Sequence, residues 1–118
     1  MPIINALASV AVKDLGATVK WYEKILERRP DARPMPEVAE WKFEHGGGLQ
    51  VYQLPERAGA GSVTLAVSRL SSTIAHLDKC GVDTRQRTSG DKVRTVMVTD
   101  PDGNHIAFAE ALDAGMAD

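Results

Sequence analysis

Three histidines and one cysteine are the side chains of this 118-residue chain best suited to proton or electron-pair chemistry. His105 is the strongest acid/base candidate, because an imidazole titrates near neutral pH. It follows Asp100-Pro101-Asp102-Gly103-Asn104, a turn in which proline fixes one backbone angle and glycine permits a positive one. The competing reading of His105 is an exposed polar residue beside a hairpin. His45 borders Gly46-Gly47-Gly48 and carries the same two readings, and His76 falls in a helical stretch and reads as surface. Cys80 stands at a helix end just before Gly81 and reads as a small buried filler rather than a nucleophile. A lone cysteine forms no internal disulfide, which fits a reducing cytoplasm. Arg85 and Arg87 could guide an anionic ligand, although a solvated strand face is the plainer reading. No Ser-His-Asp set, Walker loop, zinc spacing or dinucleotide fingerprint is present. The glycine triplet precedes a strand and lacks a following Lys-Ser/Thr, so it is not a phosphate loop.

These residues are carried by a chain that repeats itself. Leu7-Ala-Ser-Val-Ala-Val12 and Ser62-Val-Thr-Leu-Ala-Val67 are alternating runs at an offset of about 55 residues, each followed by a helical stretch, strand-like runs and a glycine-containing turn. In the first unit (about residues 5–54) a strand is predicted over Asn5–Val12. Asp14 caps a helix to about Glu27 with Leu15, Val19, Tyr22, Ile25 and Leu26 on one stripe. Pro30, Pro34 and Pro36 allow only a short or edge strand, and further strands are predicted over Ala39–His45 and Leu49–Leu54. Residues 55–61 form a linker. In the second unit (about 62–111) a strand over Ser62–Ser68 precedes a helix capped by Ser71 or Ser72 and carrying Ile74, Leu77 and Cys80. Strands follow over Asp83–Thr88, Lys92–Thr99 and Ile106–Ala111, then a frayed tail over 112–118. Each unit is therefore βαβββ, an α+β arrangement of two tandem units forming a curved mixed sheet, a cup with the helices outside, in a single domain.

Apolar content of 43% and charged content of 25% are those of an ordinary globular protein. The net charge of −2 gives no reason to expect nucleic acid or an anionic membrane as partner. No apolar run is long enough to span a bilayer, and Met-Pro-Ile-Ile-Asn lacks the basic and apolar regions of a signal peptide, so a cytoplasmic location is expected.

The run Val-Lys-Asp-Leu, Trp21-Tyr22 within the helix, the paired units and Asp-Pro-Asp-Gly-Asn before an apolar last strand resemble the vicinal oxygen chelate superfamily, which includes glyoxalase I, bleomycin-resistance proteins, fosfomycin-resistance enzymes and extradiol dioxygenases. The resemblance covers about residues 5–111. It implies a homodimer, because small relatives often complete each cup with the partner chain, and the linker allows the units to pair internally or by exchange. Metal-dependent members hold a divalent ion with His, Gln or Glu at four places, which fall here on Leu7, Gln50, Ser62 and Ala107. Leucine and alanine have no lone pair to donate and a serine hydroxyl is a poor ligand, so no metal and no cofactor are expected.

Strand alternation tests that register independently. If those four face the cup, so do Ser9, Tyr52, Thr64 and His105, while Val10, Val12, Leu49, Val51, Val63, Leu65, Val67, Ile106 and Phe108 face the helices. A one-residue slip would invert this clean split. Pairing Asp100 with Asn104 adds Thr95, Met97 and Thr99 to the cup. The direction of Trp41 and Phe43 depends on the glycine turn. A two-residue loop pairing His45 with Gly48 sends them into the cup as an aromatic wall, whereas a three-residue loop sends Lys42 and Glu44 there instead. The wall is favoured, since two buried charges would need partners the sequence does not identify.

Two functions follow. The first is a metal-independent binder of the bleomycin-resistance type, holding an apolar or aromatic ligand among Leu7, Ser9, Trp41, Gln50, Tyr52, Ser62, Thr64, Met97 and Ala107. The alternative is a glyoxalase-like lyase, isomerase or dioxygenase, with a differently placed metal or His105 as base.

Overall fold

In the computed structural model, residues 1–112 are described, and the tail expected from Asp113 to Asp118 lies outside them. The order is β1 (Ala8–Val12), α1 (Leu15–Leu26), β2 (Ala32–Met35), β3 (Val38–Lys42), β4 (Gly48–Gln53), β5 (Ser62–Ala66), α2 (Leu70–Lys79), β6 (Gln86–Ser89), β7 (Val93–Thr99) and β8 (His105–Ala111). The linker contains one 3-10 turn, Pro55–Arg57. Each half is βαβββ, as predicted. The strands form two mixed sheets, β1-β4-β3-β2 and β5-β8-β7-β6, and no closed barrel. In each sheet the first strand pairs in parallel with the last, and the remaining pairs are antiparallel.

The helices start by one device used twice. Asp14 caps α1 by accepting from the Ala17 amide, and the Leu15 amide donates to Gln53 Oε1 at 3.0 Å. In α2 neither Ser71 nor Ser72 is the cap, contrary to the sequence reading. The cap position is Arg69, which makes no capping bond, and the Leu70 amide donates instead to Glu110 Oε1 at 2.6 Å. A side chain from the end of β4 or β8 thus satisfies a free amide at the start of its unit's helix. That amide, with a smaller contribution from Arg94, holds the Glu110 carboxyl below the usual range.

The helix stripe of Leu15, Val19, Tyr22 and Ile25 packs with Val10, Val12, Leu49, Val51, Val63, Val96, Val98, Ile106 and Phe108 in one core. Val10, Val12, Leu49, Val51, Val63, Ile106 and Phe108 belong to the set that alternation assigned to the helix side, with Leu65 and Val67 partly buried beside them. Val96 and Val98 alternate with the cup-facing Thr95, Met97 and Thr99.

The two units meet within the chain at the turn between β7 and β8. Asn104, fully buried, donates from Nδ2 to the Ala11 carbonyl and accepts at Oδ1 from the Gly59 and Gly61 amides. Asp102 Oδ2 accepts from the Lys13 amide, and Asp100 Oδ2 accepts from the Tyr22 hydroxyl and from Asn104 Nδ2. Burial, then the bond to Asp100, pushes the Tyr22 phenol far above its ordinary pKa. Gly59 is required in this clasp, because its φ is +93° and a Cβ there would lie 2.5 Å from the Asp102 carbonyl oxygen.

The corresponding turn of the first unit has the same backbone bonds. Phe43 N donates to Gly47 O and Gly46 N to Phe43 O, just as Asp100 N donates to Asn104 O and Gly103 N to Asp100 O. Phe43 and Gly47 therefore stand where the second unit has Asp100 and Asn104. This turn also corrects the favoured hairpin register: Lys42, not His45, pairs with Gly48, and Trp41 lies opposite Leu49 on the helix side.

Candidate functional site

The side of each sheet away from its helix carries the polar and small residues. On the first sheet Ser9, Gln50 and Glu40 lie side by side across β1, β4 and β3. Ser9 Oγ donates to Gln50 Oε1 at 3.3 Å, and Gln50 Nε2 donates to Glu40 Oε2 at 2.8 Å. The next row is Ala11, Tyr52 and Val38, with Tyr52 half-buried. Leu7 precedes β1, is 43% exposed, and lies close to Gly48. On the second sheet the rows are Ser62, His105 and Thr99, then Thr64, Ala107, Met97 and Gln86. Thr88 and Thr95 share a hydroxyl hydrogen bond of 2.6 Å in the row beyond.

Trp41 does not belong to this face. It is fully buried, its Nε1 donates to the Arg28 carbonyl at 3.0 Å, and its ring packs 6.1 Å from that of Tyr22. The physical reason is the longer glycine turn, in which Gly46 and Gly47 both take positive φ, so that Lys42 rather than His45 pairs with Gly48 and the odd shift of register turns the strand over. The same shift turns Glu40 onto the open face, where the sequence reading had not placed it. The Glu40 carboxylate has its partner in Gln50, and Lys42 and Glu44, the two charges whose burial the sequence argued against, are both exposed.

The four positions that the resemblance assigns to metal ligands are Leu7, Gln50, Ser62 and Ala107. Leu7 and Ala107 have no donor atom, Ser62 offers only a hydroxyl, and the Gln50 amide is held between Ser9 and Glu40. Among the described residues no group of three or more His, Cys, Asp or Glu side chains is arranged to hold a metal ion.

Two hollows flank these faces. One, about 310 Å³, is lined by Val82, Asp83, Gln86, Met97 and Thr99, and so continues the open face of the second sheet past Met97. Arg85 holds the Asp83 carboxyl down to about 2 through side-chain and backbone hydrogen bonds. The other, about 810 Å³, runs along the seam between the units. It is bounded by the end of α1, the Phe43–Gly48 turn, β5 and His76 of α2. Neither hollow includes Gln50 or Tyr52. Sequence reasoning missed Gln86, Val82 and Asp83, because their place depends on where β6 begins. His105 is exposed, and its backbone amide donates to the Gly61 carbonyl. Among the described residues no hydrogen bond to its imidazole orients it as a base.

Paired βαβββ units with open, mixed polar and apolar sheet faces define a fold class rather than one activity. The chain belongs to the glyoxalase/bleomycin-resistance family of vicinal oxygen chelate proteins. It is 36% identical to a glyoxalase/bleomycin resistance protein from Catenulispora acidiphila, with a TM-score of 0.83 over 92% of this chain and 98% of that one. TnmS3, an antibiotic binding protein from Streptomyces sp. CB03234, shares the fold at 22% identity and a TM-score of 0.79, over 94% of this chain and 98% of that one. The oxidase ChaP-H2 shares it at 15% identity and a TM-score of 0.76 over the whole of both chains. No family model matches the sequence, and no curated protein matches it. No helix among the described residues is long and apolar enough to cross a membrane.

Proposed function

We propose that this protein binds a small organic molecule on the open sheet faces, without a metal ion at the family's ligand positions. The observation that carries this reading is the replacement of the four ligand positions by Leu7, Gln50, Ser62 and Ala107, with Gln50 committed to hydrogen bonds with Ser9 and Glu40. The ligand has an apolar or aromatic body that lies on Tyr52, Leu7 and Met97, and a hydrogen-bond donor that meets Glu40 or the hydroxyls of Ser9, Ser62 and Thr64. An adaptable methionine and a tyrosine suit such a guest.

A second copy completes the cup. Support comes from the hollows: the cavity at Met97 is lined from the second unit alone, and no cavity described above joins it to Gln50 and Tyr52. A facing sheet from a partner would enclose both. Sedimentation at micromolar concentration is expected to show a dimer, and a persistent monomer would contradict it. The binding claim is tested by a thermal-shift screen of apolar and aromatic compounds, since a ligand that binds only the folded state raises its melting temperature. Gln50→Ala and Tyr52→Ala are expected to weaken a hit while leaving the fold intact. Unchanged affinity in both would put the site elsewhere.

A further inference from the structure

Cys80, His76 and the Lys24 carbonyl converge where the two helices end. Nε2 of His76 lies 2.9 Å from Lys24 O and 3.5 Å from Cys80 Sγ, and Sγ lies 3.8 Å from the same carbonyl. We propose that these three atoms form a binding site for a thiophilic d10 cation of the Zn(II) or Cu(I) class, outside the cup. A cation equidistant from three donors so spaced would sit about 2.0 Å from each, within reach of metal–nitrogen and metal–sulfur bond lengths. Sulfur and imidazole are the ligands such ions select. His76 and Cys80 are four apart on α2, the spacing that puts two side chains on one helical face.

Three further features fit a cation. Lys24 is among the last four residues of α1, whose carbonyls have no partner inside the helix, and Cys80 is the C-cap of α2. Two negative helix ends therefore meet at one point, which favours positive charge there. Glu27 Oε1 lies 3.5 Å from His76 Nδ1, the far ring nitrogen. Without a metal, Nε2–H donates to the Lys24 carbonyl; on binding, the ring proton is held instead on Nδ1, facing the Glu27 carboxylate, and the Nε2 lone pair turns to the ion. His76 also lines the seam groove, which opens an approach from solvent. On binding, the Cys80 sulfur–hydrogen bond is replaced by a sulfur–metal bond and one proton passes to solvent. With three protein donors, a water or buffer ligand completes the coordination of Zn(II).

The test is titration of the metal-free full-length chain with Cd(II), followed by the ultraviolet thiolate-to-metal charge-transfer band, with Zn(II) as competitor. One saturable ion per chain is expected. Cys80→Ser should abolish the band, His76→Gln should weaken binding at least tenfold, and Glu27→Gln by about tenfold, with circular dichroism showing all three folded. Gln50→Ala should leave the titration unchanged. Cd(II) binding that is indifferent to His76→Gln would reduce the site to a simple surface thiol and overturn the proposal. So would the absence of saturation, or loss of the ion in Gln50→Ala.

Discussion

The Tyr22 hydroxyl donates to Asp100 Oδ2 at 2.6 Å, inside the core, and so ties the helix of the first unit to the last hairpin of the second. Asp100 also accepts from Asn104 Nδ2 and, at Oδ1, from the Asp102 and Asn104 amides. Tyr22→Phe removes one donor from a buried carboxylate, and is expected to cost about 1–3 kcal/mol of unfolding free energy in urea denaturation. A change too small to measure would mean that the clasp does not hold the units together.

Gly59→Ala should be at least as damaging, although the side chain gained is a single methyl. The residue has φ +93° and abuts the Asp102 carbonyl. Strain of about 1–3 kcal/mol is expected from the same denaturation experiment. Gly81→Ala, also at positive φ but with nothing within 4 Å, should cost less.

Trp41→Phe distinguishes core from wall. Loss of the bond to the Arg28 carbonyl and of packing volume beside Tyr22 should destabilise the fold by roughly 2 kcal/mol. Affinity for a screened ligand should stay within about twofold, a difference of under 0.5 kcal/mol. A large loss of affinity with little loss of stability would return Trp41 to the binding face.

Acid should loosen α2 through Glu110 and the strand leading from it through Asp83. Both carboxyls titrate below their ordinary values when folded. Each therefore binds its proton more weakly in the folded chain than in the unfolded one. Their stabilisation is fully present above the unfolded pKa, about 4, and is lost as the pH falls through the depressed folded value. Protection of the Leu70 amide against exchange, relative to its intrinsic rate at each pH, should fall over that range. Glu110→Gln keeps an acceptor but no charge, and should flatten that part of the acid dependence.

The repeat, the order of elements and the helix-facing residues were legible because each rests on local periodicity. Leu49 and Val51, or Ile106 and Phe108, alternate with polar or small neighbours whatever the turn does. Trp41 was misplaced because its face hangs on one turn whose length is set by positive φ at Gly46 and Gly47, which three adjacent glycines leave undetermined in sequence. Glu40 was hidden by the same slip. Glu110 as the partner of α2 was not legible, since it is 40 residues from Leu70 and no local motif announces it. Asp100-Pro101-Asp102-Gly103-Asn104 was read correctly as a turn, but its carboxylate and amide also serve as the buried joint between units, a role that only the tertiary fold reveals.

The central claim is that the open faces hold a guest without a metal ion. Its most direct test is the thermal shift produced by the best-binding screened compound, measured on Cys80→Ser protein with and without EDTA, so that an ion at the seam cannot contribute. The expected result is the same shift in both. A shift that collapses in EDTA and returns with added divalent ion would contradict the account.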